Sequence, residues 1–85
     1  MNWEKLKAFK KVAKAGSFLT ASKQENKSQS TFSRAVMDLE KEINEKLFNR
    51  TSKGVMPTLH GSTLLNLVDD FSNKLNQFKN NIRKN

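Results

Sequence analysis

Residues 28–40, SQSTFSRAVMDLE, carry the side chains in this sequence best suited to reading another molecule. Ser28, Gln29, Ser30 and Ser33 offer hydroxyl and amide donors and acceptors, and Arg34 adds a planar guanidinium a turn further in. Phe32, Val36, Leu39 and Ile43 recur at steps of four, three and four, which predicts a helix with one buried stripe. Gln29, Ser30, Ser33, Arg34 and Met37 fall on the opposite side, free to face a partner. That face suits the edges of base pairs. Arg can fork onto guanine O6 and N7, Gln can fork onto adenine N6 and N7, and Ser adapts to either.

The charge balance points to the same partner. The 85 residues hold sixteen Lys and Arg against eight Asp and Glu, a net charge of +8. Through Pro57 there are twelve basic and six acidic residues, so most of the excess lies in the N-terminal two-thirds. Such a surplus favours a polyanion, because each neutralised phosphate releases condensed counterions. A merely solvated lysine-rich surface is the competing explanation of the charge.

Other chemistries have little to stand on. There is no cysteine, which excludes disulfides and thiolate metal sites, and the single His60 excludes a histidine-rich cluster. No metal or cofactor is expected. His60 has no Ser or Cys partner at a motif spacing, and the adjacent Asp69 and Asp70 would point about 100° apart on a helix, a poor acid/base pair. An enzyme is not expected. No apolar run approaches the roughly 18–20 residues of a membrane span, and the start MNWEKLKAFKK has no signal-peptide core, so a cytoplasmic protein without a membrane partner is the expectation.

The elements that must position this face read as almost all helix. Trp3, Leu6, Phe9 and Ala13 share one side of a first helix with Val12 at its edge, and Lys7, Lys10, Lys11 and Lys14 cluster on its flank as a lysine stripe that is either a solvated face, the commoner case, or a contact to phosphates. Gly16 is a C-cap, and Ser17 is an N-cap for a short helix over residues 18–25. Asn26-Lys27 makes a tight turn, and Ser28 caps the next helix, which runs to Ile43 with Asn44 as its left-handed stop. Two helices separated by such a corner, the second opening on polar exposed residues, form a helix-turn-helix candidate. Leu47-Phe48 and Val55-Met56 flank NRTSKG as a small hairpin, or wing, with Arg50 and Lys53 at its tip. Pro57 lacks a donor, so the second strand should be an edge or end there.

Thr58 should cap a last helix from Leu59 to about Arg83. In it Leu64, Val68, Phe71, Leu75, Phe78 and Ile82 keep steps of 4, 3, 4, 3 and 4, a coiled-coil seam. Burying one such side chain is worth about 1.5–3 kcal/mol, so six exposed ones are implausible in a soluble monomer. The seam predicts a homodimer through this helix. Packing back on the same domain would account for Leu64, Leu65 and Val68, but hardly for Phe78 and Ile82. The expected division is residues 1–57 as a winged helix-turn-helix and 58–85 as a dimerisation helix.

The order Leu6, Phe9, Val12, Gly16-Ser17-Phe18, Ala21, Ser28-Gln29, Ser33-Arg34, Leu39-Glu40, Leu47-Phe48, Arg50, Thr58 and Gly61 resembles the N-terminal winged helix-turn-helix of LysR-type transcriptional regulators. The seam is similar to the linker helix that pairs their DNA-binding domains in antiparallel fashion. The resemblance implies a mainly α fold and a bacterial regulator that binds double-stranded DNA as a dimer. Gln29, Ser33 and Arg34 would face the major groove, and Lys53 would approach phosphate or the minor groove. Ser17 and Ser28 would present helix-start amides to phosphates, with Ser30 and Arg50 completing the DNA-facing set.

Several positions depart from the family pattern. Glu25 and Lys27 stand where the family keeps apolar residues; buried and unpaired they would cost several kcal/mol, so either the helices shift or these side chains reach solvent. Ser30 replaces a common proline, and Pro57 replaces a wing leucine. Family members continue into an effector-binding domain that has no counterpart here, so no small-molecule ligand is expected in this chain. These departures, with Arg34 facing Asp38 on a nearly neutral helix start, motivate a second expectation. In it the chain is an interaction protein that joins a full-length LysR-type subunit and antagonises its DNA binding.

Overall fold

The structure, a computed structural model, describes residues 1–83; Lys84 and Asn85, the end of the expected dimerisation segment, lie outside the described residues. Three helices come first: α1 (Trp3–Ala15), α2 (Phe18–Glu25) and α3 (Gln29–Ile43). A two-stranded hairpin, β1 (Phe48–Thr51) and β2 (Gly54–Pro57), leads into a 25-residue helix α4 (Leu59–Arg83). This is a mainly α winged helix-turn-helix followed by a long helix.

Each helix end has a local cause. Asn2 caps α1 by accepting from the Glu4 and Lys5 amides, and Gly16 ends it at φ 83° with its N–H bonded to the Val12 carbonyl. Ser17 caps α2, its hydroxyl oxygen accepting from the Thr20 amide at 3.0 Å. Asn26 and Asn44 end α2 and α3 at φ 54° and 56°, the left-handed region that asparagine tolerates better than most residues. Thr58 Oγ1 accepts from the Gly61 amide at 3.0 Å and so caps α4.

The core gathers one stripe from each of α1, α2 and α3: Phe9 and Val12, Phe18 and Ala21, then Phe32, Val36 and Leu39. Ile43, the last member of the expected α3 stripe, is only partly buried and packs against this cluster. Leu47 is completely buried just before the hairpin, and Phe48 begins β1 with its ring 5.2 Å from that of Phe9. The strands pair antiparallel from Phe48↔Pro57 to Thr51↔Gly54, leaving Ser52 and Lys53 as the turn. Pro57 closes β2, where its missing N–H is harmless.

Three hydrogen bonds tie the wing and the residue before it to the helices. The Val55 amide donates to the Gly16 carbonyl at 2.9 Å. At Gly54 (φ 143°) an added Cβ would collide with that same carbonyl oxygen. Leu47 N–H donates to Glu40 Oε2 at 2.8 Å, and the Leu47 carbonyl accepts from the Thr58 amide at 2.9 Å. Gly61 lets α4 approach, since a Cβ there would strike the Leu47 carbonyl.

Helix α4 divides into a docked part and an uncovered part. Leu64 and Leu65 pack against the core cluster and Val68 is buried. The lysine stripe of α1 turns out to be paired rather than simply solvated. Lys10 and Lys14 both reach Asp69 at 3.1 Å, Lys11 reaches Glu25 at 3.1 Å, and Lys7 reaches Glu4 at 3.1 Å. Hydrogen bonds from Lys14 and then Lys10 hold the Asp69 carboxyl below its ordinary range against a smaller opposing effect of burial.

Gly54→Ala should therefore cost about 2 kcal/mol or more in urea unfolding; a loss under about 0.5 kcal/mol would mean the wing is not held against Gly16. Asp69 should stabilise the fold above its unfolded pKa of about 3.9, with the gain lost as pH falls through its lower folded value. Asp69→Asn should then lower the melting temperature at pH 7 by the equivalent of at most about 1 kcal/mol. The difference from wild type should close as pH falls through the lowered folded value of Asp69, and a gap that does not change with pH would contradict the ion pairs.

Candidate nucleic-acid interface

The corner that presents α3 is built from short polar side chains. Lys27 N–H donates to the Ser22 carbonyl at 3.0 Å, and Ser22, itself buried, donates its hydroxyl to the Leu19 carbonyl at 2.7 Å. Ser28 stands at φ −72°, ψ 151°, outside the helix, and its hydroxyl oxygen accepts from the Thr31 amide at 3.3 Å. The Ser28 hydroxyl also meets the Ser30 hydroxyl at 3.0 Å and that of Thr31 at 2.9 Å. Among the described residues no acceptor takes the Gln29 or Ser30 amide, as expected of a helix start that is left for solvent or an anion.

Burial sorts the candidate side chains. Gln29, Ser30 and Arg34 are exposed, Ser33 is half-buried, and Phe32 and Val36 behind them are in the core. Lys5 Nζ reaches Asp38 at 3.1 Å, so Asp38 is engaged from α1. Among the described residues Arg34 has no ion pair. The expected near-neutral helix start therefore keeps an available guanidinium.

Glu25 and Lys27 are accommodated without disturbing the packing of α2 and α3. Glu25 is half-buried and paired with Lys11, and Lys27 is exposed, so the side chains reach solvent and the helices need no shift. Ser30, at the usual proline step, joins the hydroxyl cluster around Ser28. Ser17, half-buried, keeps its hydroxyl on Thr20, donating to Thr20 Oγ1 at 2.8 Å.

On the wing, Lys53 is exposed in the turn, its amide bonded to Thr51 Oγ1 at 3.2 Å. Arg50 is not at the tip as the sequence suggested. It sits within β1 opposite Val55, its guanidinium carbon 5.2 Å from the centre of the Phe18 ring, a cation–π contact. Between α3 and the wing runs an open cleft that brings Ser33, Lys46, Asn49 and Arg50 together. Lys46 and Asn49 were not among the sequence candidates, because neither residue type nor spacing marks them. Only the hairpin's return beside α3 places them.

A second surface lies on α1 and α4. Trp3 and Phe71 meet edge to face at 5.1 Å, and Leu6, Leu67, Val68 and Leu75 continue the same apolar groove. The expected seam is therefore split. Leu64, Val68 and Leu75 are at least partly covered by the chain itself, whereas Phe71, Phe78 and Ile82 stay 53%, 60% and 59% exposed.

Comparison with known proteins places this geometry. The sequence profile of the bacterial regulatory helix-turn-helix proteins of the lysR family matches residues 3–62. The HTH-type transcriptional regulator YofA of Bacillus subtilis is 36% identical over 78 residues, which span 92% of this chain and 27% of YofA. The regulator TfdT of Cupriavidus pinatubonensis is 42% identical over 65 residues, 76% of this chain and 28% of TfdT. The chain thus spans little more than a quarter of either relative. Both are named as transcriptional regulators and neither as an enzyme. The CbnR DNA-binding domain, solved in complex with DNA, superposes with a TM-score of 0.85 at 26% identity, over 99% of this chain and 97% of that one. Full-length LysG from Corynebacterium glutamicum gives a TM-score of 0.90 at 25% identity, over 99% of this chain and 29% of LysG. With its profile match across most of the sequence and this shared architecture, the chain belongs to the LysR family of bacterial regulatory helix-turn-helix proteins.

Proposed function

We propose that this chain is a sequence-specific double-stranded DNA-binding transcription regulator, cytoplasmic, working as a homodimer. Residues 1–57 would form the reading unit and 58–85 the pairing helix. The observation that carries the reading is the exposed face of α3, where Gln29, Ser33 and Arg34 share one side and Arg34 is left uncompensated by Asp38. A guanidinium with an open fork can make a bidentate contact to guanine, and the serine cluster and amide ends before it suit phosphate. Similarity to a domain solved on DNA supports the same use of this helix. Lys53 at the wing turn would lie beside phosphate or the minor groove, with Ser17, Ser28, Ser30 and Arg50 supporting the same surface.

Dimerisation would run through α4. Phe71, Phe78 and Ile82 leave large apolar faces in water, and covering each is worth about 1.5–3 kcal/mol. A second copy, laid antiparallel, would bring the far half of its α4 to the groove around Trp3 and Phe71. Such a dimer would carry two reading helices to half-sites about one helical turn apart, near 34 Å. The heterodimer-antagonist reading has less to support it, since Glu25 pairs with Lys11 and Asp38 pairs with Lys5.

Arg34→Ala should weaken binding to a duplex selected by the wild-type chain by about 1–3 kcal/mol and relax discrimination at one base position. Unchanged affinity and selectivity in that variant would remove α3 as the reading element. Phe71→Asp should convert the dimer to a monomer by sedimentation, with circular dichroism confirming retained helix. A dimer that persists would place the interface elsewhere.

A further inference from the structure

We propose that a lysine-lined trough between α1 and α4 makes the pairing surface selective for a helix with acidic flanks, carried by a different protein, over a second copy of this chain. The inference rests on the reading of α4 as a pairing helix and names the chemistry of the partner that fits it best.

The apolar groove has a charged neighbour. Trp3 and Leu75 line the groove and also a trough that gathers Lys7, Lys10, Lys11 and Lys14 from α1 with Lys79 from α4. Three carboxylates face these five cations. Asp69 is shared by Lys10 and Lys14, Glu25 holds Lys11, and Glu4 holds Lys7. Lys79 has no ion pair among the described residues. None of the five lysines is buried, so a helix lying in the groove would meet a surplus of positive charge at its edge.

A second copy can offer the groove only the far half of its α4, because its own domain takes up Leu64 and Val68. That half is basic. After Asp70 the sequence holds Lys74, Lys79, Arg83 and Lys84 and no Asp or Glu. Lys74 stands three residues after Phe71 and four before Phe78, exposed beside the uncovered apolar stripe. Pairing two copies therefore brings cations up to cations, within the roughly 8–10 Å over which charges act at ordinary ionic strength. Like charges along a helix pair disfavour it, whereas opposite charges set the choice of partner. A helix with the same apolar period and Glu or Asp beside it would fill the groove and neutralise the trough at once.

The chain itself supplies the probe. Lys74→Glu with Asn81→Glu places two carboxylates at exposed positions seven residues apart, and neither position lines the trough. Each copy then offers an acid-flanked helix to the other's lysines. Sedimentation of this full-length variant in low salt should show self-association about three- to tenfold tighter than wild type. Added salt should weaken that pair and strengthen the wild-type pair. The neutral control Lys74→Gln should gain less, and adding Lys7→Gln and Lys11→Gln to the acid-flanked chain should remove its gain. Circular dichroism should give each variant the wild-type helix content. The salt titration needs no variant, and a wild-type pair that weakens as salt is added would overturn the inference by itself. So would equal self-association of the wild-type and acid-flanked chains, which leaves the homodimer standing without the selectivity. A gain matched by Lys74→Gln, or kept without Lys7 and Lys11, would also overturn it, since the lysines of the trough would then attract nothing. If no chain self-associates at any salt, the pairing role of α4 falls and this inference with it.

Discussion

Leu47 is fully buried, and both polar groups of its backbone are engaged by other elements. Its amide binds the Glu40 carboxylate near the end of α3, and its carbonyl takes the Thr58 amide at the start of α4. Leaving either group unpaired in the interior would cost about 1–3 kcal/mol, so the three elements meeting there are held to one mutual arrangement. Gly61 is part of the same constraint, because only a residue without Cβ lets α4 come down on that carbonyl. One peptide unit thereby sets where α3 ends, where the wing begins and in which direction α4 departs.

The wing is closed from its other side by a second link of the same kind. The Gly16 carbonyl, left over at the end of α1, is taken up by the Val55 amide, and Gly54 permits the approach. A two-stranded hairpin has little stability of its own, so these attachments and the burial of Phe48 and Val55 determine its position. The side chains of the cleft and of the turn are thus held on a supported element rather than a free loop, which is what a surface used for positioning requires.

Much of this was legible in the sequence. The alternation of three and four placed Phe32, Val36 and Leu39 inside, and the caps at Ser17, Ser28 and Thr58 stand where short hydroxyl side chains precede apolar periods. Gly16, Asn26 and Asn44 end helices because few other residues accept positive φ. The electrostatics were not legible. A run of lysines reads as a solvated stripe, yet Lys10 and Lys14 meet Asp69 from 55 or more positions away, and Lys5 takes Asp38 from Arg34. Arg50 was misplaced for a similar reason. The strand carries it back over Phe18, and nothing in NRTSKG encodes that neighbour. Long-range pairings of polar side chains leave no periodic trace, whereas burial does.

The central claim is that this scaffold presents α3 to DNA twice, from two chains joined along α4. Selection of duplexes from a random-sequence library by the purified chain, followed by sequencing, tests it most directly. The account predicts an enriched motif of two inverted half-sites whose centres lie about one or a whole number of helical turns apart, near 34 Å per turn. Enrichment of no motif, or of an isolated half-site without a symmetric mate, would contradict it.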